Sequence, residues 1–237
     1  MKGVNIRSVV FILLASFVGT TNAQEYKVAK NSGRLEIIDV NHVRVEGYAG
    51  NEIVFTTTDG KREVDKRAEG LKAINSLGIE DNTGLGISVV DKGNKVEVRQ
   101  MKKMDGPNIK VMVPKGVIVS YSHNSPYGDD IHFLNVEGEI EVSTLHNGIH
   151  LENVTGPMTL KTIHGEIEAN FNANIKSPVS IVSVHGLVDI TLPAAIKANL
   201  AMSTNYGEIF VDPVFKIEFD KQDDEWVRYG SGKVSGK

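Results

Sequence analysis

The chain has 237 residues and no cysteine, and its 26 Lys and Arg against 30 Asp and Glu give a formal net charge of −4. Without cysteine, a disulfide framework is excluded, and so is the usual bacterial lipid anchor, which needs a cysteine directly after the cleavage site. The negative balance and the scattered lysines argue against a nucleic-acid partner.

Residues 1–23 have the composition of an export signal. Lys2 and Arg7 form a basic start, an apolar run follows, and Thr21 and Ala23 put small residues at the two positions that a signal peptidase reads. We therefore expect a signal peptide and export to the periplasm, the outer surface or the medium. No second apolar run of about 18 residues follows, so no transmembrane segment is predicted after cleavage.

The chain that follows is predicted to form short β-strands. Segments rich in Val and Ile and bounded by Gly, Asn, Asp or Pro are typical of strands. These segments are 35–40, 42–47, 51–58, 85–90, 94–100, 108–113 and 116–121. One long excursion, 59–84, is charged in its first half, and we predict a loop insertion there with a short helix over 63–69.

The C-terminal half repeats one eight-residue pattern in register. The four copies are TLHNGIHL (144–151), TIHGEIEA (162–169), SVHGLVDI (183–190) and TNYGEIFV (204–211). Their first residues are 18, 21 and 21 positions apart. A unit of about 20 residues is too short to bury its own apolar face, so each unit must pack against the next. The repeat therefore predicts stacked coils, and we expect the function on a repeated surface.

Within each copy, apolar and polar residues alternate after the glycine. The predicted inward positions are Ile149, Leu151, Ile167, Ala169, Val188, Ile190, Ile209 and Val211. Strands that recur about every 9 residues fit a sandwich as well as a solenoid, but the repeat register favours a β-solenoid with coils of about 18–21 residues. We predict one all-β domain over 24–237, in which 220–237 is a C-terminal tail or an incomplete last coil.

The order of several segments resembles one family of exported bacterial proteins. The segments are VRVEGYAGNEIVF (43–55), RAEGL, DNTGLGISV, KVEVR, IKVMVPKGV (109–117), the repeated Thr-x-His-Gly and TLPAAIKANL (191–200). Together they resemble the putative-adhesin β-solenoid family, a domain of unknown function related to the toast-rack repeats of envelope-stress systems. The resemblance implies a right-handed parallel β-solenoid, a location at the cell envelope and an adhesin-like role.

A His or Tyr stands two residues after the Ser or Thr that opens each copy. Coils stacked about 4.7–4.9 Å apart would align these side chains into a column on one edge. The column comprises His146, His164, His185 and Tyr206. Two neighbouring imidazoles could share a zinc ion, with Glu166, Glu168 or Asp189 nearby as ligands, but a His before Gly is also an ordinary turn residue. We favour stacked turn residues and predict no metal ion and no cofactor.

A second group of functional side chains lies in a loop rich in Gly, Pro, Ser and Asn. It comprises Tyr121, His123, Tyr127, Asp129, Asp130 and His132. Binding residues concentrate in such loops. Asp129 and Asp130 are adjacent and would point to opposite sides of an extended backbone, which weakens them as an acid-base pair. The candidate ligand surface adds Tyr127, Asp129, Asp130 and His132 to the column.

Catalytic motifs are absent from the sequence, and no catalytic residue is predicted. It contains no nucleophile elbow, no phosphate loop and no His-Glu-x-x-His zinc motif. No pair of carboxylates placed for glycoside cleavage is recognisable. We expect a non-catalytic binding or scaffold surface at the cell envelope, whose partner is an envelope protein or a surface glycan. Two alternatives stay open: an envelope-sensing module that binds a partner protein or a small ligand, and a carbohydrate-active β-helix enzyme.

Overall fold

The structure is a computed structural model that describes residues 24–59, 66–68, 70–76, 78–172, 174–175, 177–215, 217–219 and 229–234. The predicted signal peptide over 1–23 lies outside these residues. Within the predicted loop insertion 59–84, the described residues include a short 3₁₀ turn, Lys66–Ala68, inside the segment where a short helix was expected.

Strands make up most of the regular structure in the described part of the chain. In chain order they are β1 (Glu25–Val28), β2 (Ser32–Ile38), β3 (His42–Tyr48), β4 (Ile53–Thr57), β5 (Ile87–Asp91), β6 (Lys95–Gln100), β7 (Asn108–Pro114), β8 (Gly116–His123), β9 (Ile131–Leu134), β10 (Ile140–Thr144), β11 (Ile149–Glu152), β12 (Met158–Thr162), β13 (Ile167–Asn170), β14 (Val179–Ser183), β15 (Val188–Thr191), β16 (Ala198–Ser203), β17 (Ile217–Phe219) and β18 (Tyr229–Val234). Each of the seven strand segments predicted over 35–121 overlaps one of these strands.

The strands form two large sheets and one small one. Sheet A has the order β1-β4-β7-β3-β9-β11-β13-β15, and sheet B has the order β14-β12-β10-β8-β2-β6-β5. The small sheet has the order β16-β18-β17. From β8 to β15 the chain alternates between the sheets, so that each coil contributes one strand to sheet B and the next to sheet A.

Successive copies of the repeat pair in parallel with equivalent residues side by side. In sheet B, Val142 of β10 lies opposite Leu160 of β12. In sheet A, Ile149 of β11 lies opposite Ile167 of β13. A shift by one residue would turn every buried side chain outward, so the alternation of apolar and polar residues fixes this register.

The core lies between the two large sheets. Inward residues of both sheets form one cluster of buried side chains, with Leu160 of sheet B and Ile149 of sheet A fully buried within it. The repeated glycine allows neighbouring coils to approach closely, because an added Cβ at Gly165 would overlap the backbone carbonyl oxygen of Asn147.

The N-terminal strands depart from a purely parallel stack. The all-β class is confirmed, but both large sheets are mixed, since β1 pairs with β4, β4 with β7, and β5 with β6 in antiparallel fashion. The coil made of β2 and β3 is also inserted into the middle of the stack, because β2 lies between β6 and β8 and β3 lies between β7 and β9. The order of coils along the chain is therefore not their order in space.

The fourth copy of the repeat does not join the stack, contrary to expectation. Residues 204–211 form no strand, and β15 is the last strand of sheet A. Instead, β16 pairs in antiparallel fashion with β18, which lies in the predicted tail over 220–237. The prediction that Ile209 and Val211 point into a core is wrong, because both are exposed and no coil among the described residues is stacked over them.

Candidate functional site

Two of the repeated hydroxyls, those of Thr162 and Ser183, close the turns that follow β12 and β14 of sheet B. The N–H of Gly165 donates to Thr162 Oγ1 over 3.0 Å, and the N–H of Gly186 donates to Ser183 Oγ over 3.0 Å. Such local bonds between hydroxyls and the backbone compete with continued strand pairing and favour a turn. The histidine between each hydroxyl and its glycine is therefore held in the same outward position in successive coils.

These histidines form the predicted column. The ring centroids of His146 and His164 are 5.1 Å apart with planes inclined by 15°, and those of His164 and His185 are 5.1 Å apart with planes inclined by 10°. All three residues are exposed. The expected fourth member is wrong: Tyr206 is 98% exposed, and among the described residues no ring contact joins it to His185.

Tyr121 and His123 belong to the core rather than to a surface. Tyr121 Oη donates to the backbone oxygen of Val40 over 3.0 Å, and the His123 ring stacks on it at a centroid distance of 6.0 Å. His123 Nε2 lies 3.1 Å from Asn41 Oδ1. Burial raises the pKa of Tyr121 and lowers the pKa of His123, since it disfavours the charged form of each group.

The neighbouring carboxylates Asp129 and Asp130 face different partners, as expected for adjacent residues in extended backbone. Asp129 Oδ2 lies 2.8 Å from His42 Nδ1. Asp130 Oδ1 accepts the N–H of Gly148 over 2.6 Å, and its Oδ2 lies 3.2 Å from His150 Nε2. The two carboxylates therefore serve separate contacts. Tyr127 lies in the same loop and is 39% exposed.

His150 is a site residue that the sequence pattern did not single out. It lies opposite His132 on one side and opposite Glu168 on the other in sheet A. The rings of His132 and His150 stack at 4.8 Å with planes inclined by 14°, and His150 Nδ1 lies 3.1 Å from Glu168 Oε2. The sequence feature that could have identified His150 is the spacing of 18 residues between positions 132, 150 and 168. This spacing equals the distance between the first two copies of the repeat.

Charge changes systematically along this row on the outer face of sheet A. Arg44 lies opposite His132, and Glu168 lies opposite Asp189, so the row runs from a cation through two imidazoles to two carboxylates. Burial lowers the pKa of His132, and the positive charges of His150 and Arg44 lower it further, against the opposite effect of nearby aspartates.

Charged groups on the outer face of sheet B pair with one another. Arg34 makes two hydrogen bonds to Glu141, of 2.8 and 2.5 Å, and Lys95 Nζ lies 2.6 Å from Glu36 Oε2. The hydrogen bonds from Arg34 lower the pKa of Glu141 because they stabilise its charged form. These charged side chains pair with one another, whereas the exposed histidine rings lie on sheet A and in the turns that lead into it, and we take that side as the candidate binding surface.

The histidine column and the row on sheet A are neighbours, because Gly148 follows His146 by two residues and Glu166 follows His164 by two. We call this combined surface the imidazole corner. It consists of Asp130, His132, His146, His150, His164, Glu166, Glu168 and His185. Within the described residues, donor atoms of Asp130, His150 and Glu166 lie within 4.8 Å of one another, which is a spacing that a metal ion can bridge.

A ladder of paired coils with a polar corner repeated in register defines an all-β repeat protein. The profile of the Toastrack DUF4097 family matches residues 22–233, and the chain belongs to that family. A search of curated proteins gives no match. Among the described residues, no helix has the length and apolar character required to cross a membrane.

Two solved structures are similar to this chain. One, named as a putative cell adhesion protein from Clostridium sporogenes, has a TM-score of 0.41 and 10% identity and covers 71% of this chain and 98% of its own. The other, named as a putative adhesin from Bacteroides fragilis, has a TM-score of 0.25 and 10% identity and covers 73% of this chain and 98% of its own. Because both TM-scores lie below 0.5, the function proposed below rests on the geometry of this chain.

Proposed function

We propose that the chain is an exported, non-catalytic binding protein of the bacterial cell envelope, in which the coils from β8 to β15 form a right-handed parallel β-solenoid. One observation carries the proposal: His146, His164 and His185 are exposed and stack at a regular 5.1 Å along one corner. Stacked repeats commonly use such extended, periodic surfaces for binding. Export is motivated by the composition of residues 1–23.

The exposure of the imidazole corner favours binding over catalysis. Donor atoms of its carboxylates Asp130 and Glu166 lie within 4.8 Å of each other. The side chain of Asp130 is 44% exposed, and Glu166 is exposed as well. Carboxylates that cleave glycosides work best where water is excluded and the substrate is enclosed. An open sheet face offers a partner a large contact area but does not exclude water from a reacting substrate.

The partner that we propose is an envelope protein or a surface glycan. The imidazole corner offers ring faces, ring nitrogens and carboxylate oxygens, and Arg44 adds a donor at one end of the row. This mixture of donors and acceptors suits the hydroxyls of a sugar as well as the polar side chains of a protein.

A triple variant, His146→Ala/His164→Ala/His185→Ala, tests the proposal. The control is Thr159→Ala/Lys161→Ala, which changes two exposed residues on the outer face of sheet B. Both variants are probed on a glycan array and in a pull-down from an envelope fraction, and thermal melting verifies that they fold. We expect a bound glycan or envelope protein to be lost from the triple variant and retained by the control.

The same experiment can contradict the proposal. Binding that is equal in the triple variant and the control would place the interaction elsewhere, and cleavage of an array glycan would favour the carbohydrate-active alternative. Cell fractionation followed by protease shaving of intact cells tests export separately, because a cytoplasmic location contradicts it whatever the corner binds.

A further inference from the structure

Three potential metal ligands come together from three successive coils of sheet A. Asp130 precedes β9, His150 lies in β11, and Glu166 precedes β13. One donor atom from each lies within 4.8 Å of the other two. The three are brought together by the parallel ladder, in which Ile131 N–H donates to Gly148 O and Ile149 N–H donates to Glu166 O.

The absence of a side chain at Gly148 leaves room for these ligands to approach one another. Gly148 lies one position before Ile149, between the coils that carry Asp130 and Glu166, and a Cβ added to it would come 2.8 to 3.1 Å from the carboxylate of Asp130. Because Gly148 has no side chain, the ring of His150 can approach the carboxylate of Asp130 from the next outward position.

His150 faces a carboxylate at each of its two ring nitrogens. Its Nδ1 lies 3.1 Å from Glu168 Oε2, and its Nε2 lies 3.2 Å from Asp130 Oδ2. A neutral imidazole has one N–H and can donate to only one carboxylate. Either the ring carries a second proton, or a cation lies between Nε2 and Asp130.

The separation of one pair of these donor atoms fits a metal ion. For bonds of about 2.0–2.1 Å in a tetrahedral site, ligand atoms lie about 3.3 Å apart, and the separation of Asp130 Oδ2 and His150 Nε2 is 3.2 Å. Glu166 is exposed, and rotation of its side chain can bring its carboxylate to the ion as the third ligand.

The groups around the ligands also have the arrangement of a metal centre. Metal-bound histidines usually donate their other N–H to a carboxylate, which fixes the ring and strengthens the ligand. Glu168 occupies that position at His150 Nδ1, and the N–H of Gly148 holds the second oxygen of Asp130 over 2.6 Å. Stacking on His132 fixes the plane of the His150 ring.

We propose that Asp130, His150 and Glu166 bind a divalent transition-metal ion, with Zn²⁺ as the best fit. One imidazole nitrogen and two carboxylate oxygens suit Zn²⁺ better than the all-oxygen sites of Ca²⁺ and Mg²⁺. Water completes the coordination, which leaves a position that a ligand atom of a partner can take. The site is separate from the column of His146, His164 and His185.

Calorimetric titration of the purified, tag-free protein with Zn²⁺ after chelator treatment tests the site. We expect one ion per chain, and at least a tenfold weaker Kd in each of His150→Gln, Asp130→Asn and Glu166→Gln. Glu168→Gln, which removes only the outer partner of His150, should weaken binding by about 10- to 100-fold. The matched control is Glu152→Gln, which changes an exposed carboxylate on the same strand as His150 and should bind as the wild type does.

Substitution of Co²⁺ for Zn²⁺ adds a spectroscopic readout, since a four-coordinate site gives visible absorption that His150→Gln should abolish. Unchanged Zn²⁺ affinity in His150→Gln would overturn the proposal, and so would binding that is lost in His164→Gln, because the ion would then belong to the column. Metal binding requires no partner, so this result is independent of the pull-down and glycan-array outcome.

Discussion

The second and third copies of the repeat have the same pattern but different surroundings. In the second copy, Ile167 and Ala169 are each 1% exposed, whereas their counterparts Val188 and Ile190 in the third are 38% and 41% exposed. Within the described part of the chain, the strands of the second copy pair on both sides, whereas those of the third pair on one side only. The comparison shows that burial in a repeat protein is a property of the stack and not of the single unit.

The largest difference in stability is expected between substitutions of the repeated glycine in the second and in the fourth copy. In Gly165→Ala the new Cβ overlaps the carbonyl oxygen of Asn147, whereas in Gly207→Ala the nearest atom is Thr204 Oγ1 at 3.0 Å. Neighbouring backbones cannot separate without breaking the ladder, so Gly165→Ala should lower the free energy of unfolding by more than about 4 kcal/mol, and Gly207→Ala by less than about 1 kcal/mol.

Urea unfolding followed by circular dichroism measures both glycine variants. A chain that fails to fold as Gly165→Ala while Gly207→Ala folds normally also meets the expectation. Equal losses in the two variants would contradict the finding that the second copy is stacked and the fourth is not.

Removal of an inward aliphatic side chain should give the next largest difference. Ile167→Ala leaves a cavity in a covered core, and we expect a loss of about 3 kcal/mol in the free energy of unfolding. Val188→Ala acts at the equivalent, partly exposed position and should cost less than about 1 kcal/mol. Urea midpoints of the two variants provide the measurement, and a loss at Val188 as large as at Ile167 would show that another surface covers the third copy.

The sequence predicts the stacked coils of the repeat well because their turn residues recur at regular intervals. Glycines and hydroxyls that recur every 18 or 21 residues determine the register, and the register places Ile149 beside Ile167 and His146 beside His164. The seven strand segments predicted before residue 122 are likewise present. Local alternation of apolar and polar residues is enough to predict a strand.

Other features cannot be predicted in this way, because alternation does not specify the neighbour of a strand. The insertion of β2 and β3 into the middle of the stack depends on long-range pairing that leaves no repeat in the sequence. Tyr206 matches the pattern but lies outside the ladder, so the pattern alone predicted a contact that does not form. His150 was missed because its partners Asp130 and Glu168 come from coils 18 to 20 residues away.

A smaller difference is expected for the hydroxyls that close the turns. Thr162 is fully buried and accepts the N–H of Gly165, whereas Ser183 is half-buried at the equivalent position. Thr162→Val keeps the shape but leaves that N–H without a partner, and we expect a loss of about 1–2 kcal/mol. In Ser183→Ala water can replace the hydroxyl, so the loss should be less than about 1 kcal/mol. Faster amide hydrogen exchange at Gly165 in Thr162→Val checks the cause directly.

The smallest effect is expected from pH at His123, which occupies the same row as Thr144. Burial lowers the pKa of His123, and the positive charge of His42 adds to this, while Asp39 opposes it. Because the unfolded chain then binds a proton more readily than the folded chain, stability is fully present above the ordinary histidine pKa of about 6.5 and decreases as the pH falls below it.

NMR titration of the His123 ring should therefore give a midpoint below the ordinary histidine value, and the urea midpoint of the wild type should fall between pH 7 and pH 5.5. His132 shifts in the same direction, so the comparison needs a variant: His123→Gln keeps a polar side chain beside Asn41 but cannot take up a proton, and its urea midpoint should change less with pH. If the His123 ring instead titrates at or above the ordinary histidine pKa, the contact with Asn41 and the negative charge of Asp39 outweigh the effect of burial. The interior of the stacked coils would then be more polar than its aliphatic lining indicates.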